Sequence, residues 1–284
     1  MKFQQAIAEY KALKTIYSQM NIQTSMGRKL LLDTEFSHSE AWIKQQWQQT
    51  EECMEFINAQ NEQNLHKFFC LLNSICDING TVKLIEQDGV ADDVALFELK
   101  VFCINIKKLK KQFDSTLMPL PDLQEAIEIL DPEGLEQPSF HVYSAYSEEL
   151  TEARKRWEKA RNENQEEESR ILYLECLKIE DQIRERLCKK LFVQVPKLKQ
   201  ALRNVALIDV AFAKALLAKE LNLQKVEICD QKQISYKGMF HPVVKKLMNE
   251  KSKRYQDIDI EVGEDVFLIT GANMAGKTMI LKTL

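Results

Sequence analysis

The sequence predicts a mainly α fold: a multi-helix core carrying a long antiparallel helical hairpin (a lever), followed by the start of an α/β unit that opens on a phosphate-binding loop. Three observations predict it. Only eight glycines and six prolines punctuate 284 residues, and three of those glycines (Gly263, Gly271, Gly276) fall in the last 22, so breakers are scarce in the body and gather at its end. Between 148 and 192, apolar residues recur at helical period through a densely charged stretch. Past Leu221 the period changes to the alternation of strands, and the chain then reads Gly271-Ala-Asn-Met-Ala-Gly276-Lys277-Thr278, a complete G-x-x-x-x-G-K-[ST] loop.

Taken in order, residues 2–19 place Phe3, Ile7, Tyr10, Leu13, Ile16 and Tyr17 at helical spacing. Thr24 or Ser25 can cap a second helix through Leu32, and Ser39 a third that turns Trp42, Ile43, Trp47, Cys53, Phe56 and Ile57 inward. Helices are expected at about 64–76, 92–112 and 120–130, the last entered through Pro119-Leu-Pro121. Residues 131–140 break the pattern and read as a loop.

The hairpin runs from Ser147 to Phe192, with its turn at residues 162–165 and an inward stripe at positions 172, 176, 179, 183, 187 and 191. Its 12 acidic and 11 basic residues between 148 and 192 interleave, as on a solvated helix pair and not a basic DNA-gripping arm. Glu166, Glu167 and Glu168 are a charge run on this arm and not a catalytic carboxylate pair. Pro196 opens another helix with a broad apolar face that includes Leu202, Val205, Ile208 and Phe212. Val226-Glu-Ile-Cys229, Ile258-Asp-Ile-Glu-Val262 and the run 265–270 read as strands, and Met279 to Leu284 opens a helix. The domain boundary is expected near 222, dividing residues 1–222 from residues 223–284.

The net charge of −4 excludes a bulk electrostatic nucleic-acid binder but not a local contact. Seven cysteines without a C-x-x-C pair or a regular framework, and four histidines apart from them, speak for a reducing compartment and against a zinc site. With no 18-residue apolar run and no signal-peptide core, the chain reads as cytoplasmic, without a membrane partner. Arg28 and the basic run 107–111 could meet phosphates, although a run of this size on a helix is ordinarily solvated.

The loop carries the chemistry. Glycines let successive backbone N–H groups turn toward phosphate oxygens at a helix start. Lys277 is placed to reach the β- and γ-phosphates of ATP, and the Thr278 hydroxyl to ligate Mg²⁺. The amides of Gly271, Ala272, Asn273, Met274, Ala275 and Gly276 complete the expected cradle. His241, beside Pro242, reads as structural, because no carboxylate or cysteine partner stands near it in sequence.

Thr270-Gly-Ala-Asn-Met-Ala-Gly-Lys-Thr278 resembles the T-G-P-N-M-(A/G/S)-G-K-(S/T) loop of the MutS-type ATPases of DNA mismatch repair, whose Asn-Met pair is not general to phosphate loops. Phe240-His-Pro-Val-Val244 is similar to that family's (R)-H-P-V segment. Thr24-Ser-Met-Gly-Arg-Lys-Leu-Leu31 is similar to its T-x-x-G-R-x-L-L stretch, and Leu207-Ile-Asp-Val-Ala-Phe-Ala-Lys-Ala-Leu-Leu217 to the helix leading back to the ATPase. Residues 129–134 and 144–156 look most like the branch without an N-terminal mismatch-reading domain. Ala272 and Met279 depart from the pattern without touching the phosphate or metal contacts.

The resemblance implies an ATP-driven switch, a homodimer in full-length form, whose ABC-type ATPase heads move helical levers. Asn273 then either lies near the phosphates or steadies the turn, and Tyr255 either stacks on adenine or packs on the sheet. Family acidic and signature residues lie far past the loop. The chain therefore reads as truncated after it, with no catalytic residue of its own, and is expected neither to hydrolyse ATP nor to hold it tightly. Where the family carries a DNA-gripping clamp at its lever tips, only residues 162–165 join the arms. Mismatched or branched DNA is one implied partner; a protein gripped by clampless levers is the alternative. A phosphate-loop kinase or transporter ATPase preceded by helices is a third reading of the same loop.

Overall fold

The computed structural model describes residues 1–136, 142, 144–264, 266–271 and 276–284. The described residues are mainly helical, with thirteen α-helices and a single two-stranded sheet. Contacts group them into two compact units.

The larger unit comprises Ile22–Thr34 and Gln48–Ala215. Its first helix, α3 (Ser25–Asp33), starts where expected: the Thr24 side chain accepts the Gly27 N–H at 2.9 Å. Asn61 caps α5 (Glu62–Asn73) and Asp92 caps α7 (Asp93–Gln112) in the same way. Between them lies α6 (Asn79–Glu86), which sequence periodicity does not predict; its N-cap residue, Ile78, makes no side-chain cap. Helix α8 (Gln124–Leu130) begins three residues after Pro121, later than the expected entry. The core is aromatic. Phe56 from α4 (Glu40–Ala59), Phe68 from α5, Phe113 after α7, and Phe212 from α11 (Val195–Leu221) meet with ring centroids 4.6 to 6.3 Å apart. Edge-on and tilted geometries prevail, as the ring quadrupoles favour.

Helix α9 (Glu148–Asn162), capped by Ser147, and α10 (Glu166–Phe192) run antiparallel, joined through residues 163–165 with Asn164 at a φ of 55°. Trp157 packs at a tilt against Tyr173 with ring centroids 5.6 Å apart, and Arg156–Glu175 and Arg154–Glu180 pair at 2.9 and 2.7 Å. Of the expected inward stripe on α10, Cys176, Ile179, Ile183, Leu187 and Leu191 are buried. The thiols behave as small apolar residues: Cys53, Cys103, Cys176 and Cys188 are buried, and burial pushes Cys103 up to about 12.

The smaller unit comprises Met1–Asn21, Glu35–Trp47 and Leu216–Leu284. The helix expected over 2–19 is two helices, α1 (Phe3–Glu9) and α2 (Lys11–Gln19), because Tyr10 is extended at φ −107°, ψ 106°. Phe3 packs against Tyr17 and Phe36. The sheet pairs β1 (Ile234–Met239) antiparallel with β2 (Ile258–Val262), with an irregularity between Tyr236 and Met239. Gly238 sits there at φ 65° and donates its N–H to Asp259 Oδ1 at 2.7 Å, a bulge that needs glycine. Between the strands lies α12 (Pro242–Glu250), and the chain closes with α13 (Lys277–Thr283). Among the described residues no helix is long and apolar enough to cross a membrane.

Two expected strands do not form. Residues 226–229 and the described part of the 265–270 run, 266–270, join no ladder. A strand is held by its neighbours' backbone, and among the described residues neither stretch has a paired neighbour. Val266 is 99% exposed and Leu268 79%.

Candidate nucleotide-binding site

The loop's described residues are Gly271, Gly276, Lys277 and Thr278; Ala272, Asn273, Met274 and Ala275 lie outside the described residues. Gly276 caps α13 with a left-handed φ of 84°, a conformation that strains any residue with a Cβ. Amides of Met279 and Ile280 donate to the Gly276 carbonyl at 2.9 and 3.2 Å and so open the helix. The Lys277 ammonium donates to the Gly271 carbonyl, which draws the two ends of the loop together. Thr278 is exposed, and among the described residues its hydroxyl makes no hydrogen bond. One ammonium, one exposed hydroxyl and the amides of a helix start form a donor set suited to a polyphosphate with its magnesium ion. Because α13 has seven residues, individual N–H groups matter more here than a macrodipole.

Upstream, β1 leads into Phe240 and His241, and Pro242 stands at the first position of α12, where a missing N–H is harmless. The His241 backbone N–H donates to the Tyr255 hydroxyl at 3.0 Å, which fixes the half-buried tyrosine. The imidazole takes no part, and His241 Nδ1 is enclosed without a hydrogen bond among the described residues. Sequence reasoning missed the ion pair beside it. Lys245 donates to both Asp257 oxygens at 2.8 and 2.9 Å, with its ammonium 4.1 Å from the Phe240 ring centroid. Its only signal was a lysine one turn into the helix that Pro242 starts. Among the described residues no group of three or more His, Cys, Asp or Glu could hold a metal.

Inside the larger unit, two motifs quoted for the resemblance meet at one carboxylate. Asp209 Oδ2 accepts from the Thr24 N–H and hydroxyl at 2.7 and 2.6 Å, and Oδ1 from the Gln23 N–H at 3.0 Å. A Cβ on Gly27 would lie 2.4 Å from Asp209 Oδ2, so the glycine makes room for the acid. The Arg28 guanidinium donates to the Ile22 carbonyl at 3.1 Å, which gives it a structural role. In the basic run, Lys107 bonds Gln124 and Lys108 pairs with Glu136. Burial raises the Asp209 carboxyl, against the opposing pull of Thr24, Gln23 and Arg28. Asp209 was not singled out in the sequence; one charge inside Leu207-Ile-Asp-Val-Ala was the signal.

Comparison with known proteins gives a partial relationship. No family model matches the chain. The DNA mismatch repair proteins MutS of Bacillus cereus, Bacillus thuringiensis and Bacillus mycoides are each 31% identical to it over 125 residues. That stretch is 43% of this chain and 14% of each relative, so the match spans a small part of their length. These matches support a relationship to MutS.

Proposed function

We propose that this chain is part of a MutS-like, ATP-dependent DNA repair or recombination protein. Residues 1–222 form its helical core and lever, and residues 223–284 begin its ATPase domain. The observation that carries the reading is the loop itself, with Asn273-Met274 inside a complete G-x-x-x-x-G-K-T frame, in a chain that shares a 125-residue stretch with MutS. In this reading Lys277 holds the β- and γ-phosphates of ATP, Thr278 ligates Mg²⁺, and Tyr255, tied by its hydroxyl to His241, presents its ring to adenine. The bound Mg²⁺ neutralises phosphate charge. The α9–α10 pair couples nucleotide state to partner or DNA binding, and the full-length protein works as a homodimer.

A fluorescent ATP-analogue titration of the natural protein tests the site. Lys277→Ala is expected to weaken binding about 10- to 100-fold, the loss of a charge-assisted contact. Equal affinity of variant and parent overturns the reading.

A second reading, a nucleotide-gated protein whose clampless levers grip another protein, is favoured by the three-residue connection between α9 and α10 and by their balanced charge. Gel shifts on mismatched and branched duplexes over a salt series separate the two. DNA binding must fall steeply with salt, and no shift at any salt selects the protein partner.

A further inference from the structure

We propose that the outer face of α10 is a self-association surface, on which a second copy of this chain docks antiparallel. The inference is independent of nucleotide. Glu167, Ile171, Leu174 and Lys178 stand at spacings of four, three and four, the step of a two-helix seam. All four are exposed, Ile171 at 66% and Leu174 at 58%, two adjacent apolar side chains in a charged region. The inner row of the same helix, Cys176, Ile179 and Ile183, is already buried, so the outer row is a second face and not a misplaced core.

The occupant follows from the order of these residues. Reversing the helix about the point between Leu172 and Tyr173 exchanges Ile171 with Leu174 and Glu167 with Lys178. A copy laid antiparallel therefore sets each Ile171 against the other copy's Leu174. At both ends of that apolar centre, Glu167 of one copy meets Lys178 of the other. This is the self-complementarity that a two-fold interface requires. The charges are available for it: Glu175, Glu180 and Asp181 on α10 are held by Arg156, Arg154 and Arg184, while Glu167 and Lys178 make no ion pair among the described residues. The seam is short, so association is weak and reversible, below the size class of permanent dimers.

Sedimentation velocity of the full chain without nucleotide, over a wide concentration range, tests the proposal. The parent is expected to associate reversibly, and Ile171→Glu to remain monomeric with an unchanged circular dichroism spectrum. Glu167→Lys alone and Lys178→Glu alone are each expected to weaken association about tenfold, since each symmetric pair loses two attractions and gains two repulsions. The double variant restores the charge pattern and is expected to return to the parent's association. A parent that stays monomeric, an Ile171→Glu variant that associates as the parent does, or a double variant no tighter than the singles overturns the proposal. Association through the exposed run 266–268 would show the second of these outcomes, and docking of an unrelated partner on this face the first.

Discussion

The helices of the larger unit and the stretch after Leu217 solve different problems with the same twenty residue types. In the larger unit four phenylalanines (Phe68, Phe102, Phe113 and Phe212), most of the α10 stripe and most of α11 are withdrawn from water, and even a carboxylate, Asp209, is enclosed with its donors. After Leu217, Ile260 is the one described residue that is buried. Yet the residues with the clearest chemistry, Lys277 and Thr278, lie in that second stretch. Burial marks where the fold is held together, and exposure marks where a ligand can still be met.

The contrast predicts graded effects of substitution. The largest is at the aromatic centre: Phe212→Ala is expected to destabilise the chain by about 3–5 kcal/mol, read as a fall in the urea midpoint. A loss under about 1 kcal/mol would mean that α11 is not the centre of the core. Next is the enclosed acid. Asp209→Asn turns an amide donor toward N–H groups that need an acceptor, a loss of about 1–3 kcal/mol.

The pH dependence of that site has a definite sign. Burial raises the folded Asp209 above its ordinary 3.8, so the folded state binds the proton more tightly than the unfolded. The stability this supplies is complete below 3.8 and is lost as pH rises through the raised value. The parent's melting temperature relative to Asp209→Asn should therefore fall as pH climbs from 3.8 and then level off toward neutrality; a difference that grows with pH contradicts the placement of this carboxylate. Smallest is the exposed run. Val266→Asp should change stability by less than about 0.5 kcal/mol in the same melt. Amide exchange gives the comparison in one experiment, with slow exchange in α7 and α11 and fast exchange over residues 266–271.

The sequence showed the helices best where two signals coincide. Thr24, Ser39 and Ser147 mark starts that periodicity alone would blur, and each is hydrogen-bonded to the helix it precedes. Helix α6 was hidden because eight residues give barely two turns of period and Ile78 offers no cap. The break at Tyr10 was hidden because an extended residue between two amphipathic helices leaves the apolar spacing nearly intact. Strands fared worst: β2 alternates and forms, whereas 226–229 alternates and does not, since a ladder depends on partners that composition does not reveal. At the candidate site, glycines and lysine were legible as a motif, but the bonds of Tyr255 and Lys245 join segments separated by a helix and show only once the chain is folded.

The connection between α9 and α10 has a practical use. At 1.5 Å per residue the 15-residue α9 holds that bend about 22 Å from where the helix begins. Asn164, left-handed and exposed, is thus a natural grafting point: a fluorescent reporter spliced there would sit at the far end of the pair without disturbing the phenylalanine centre.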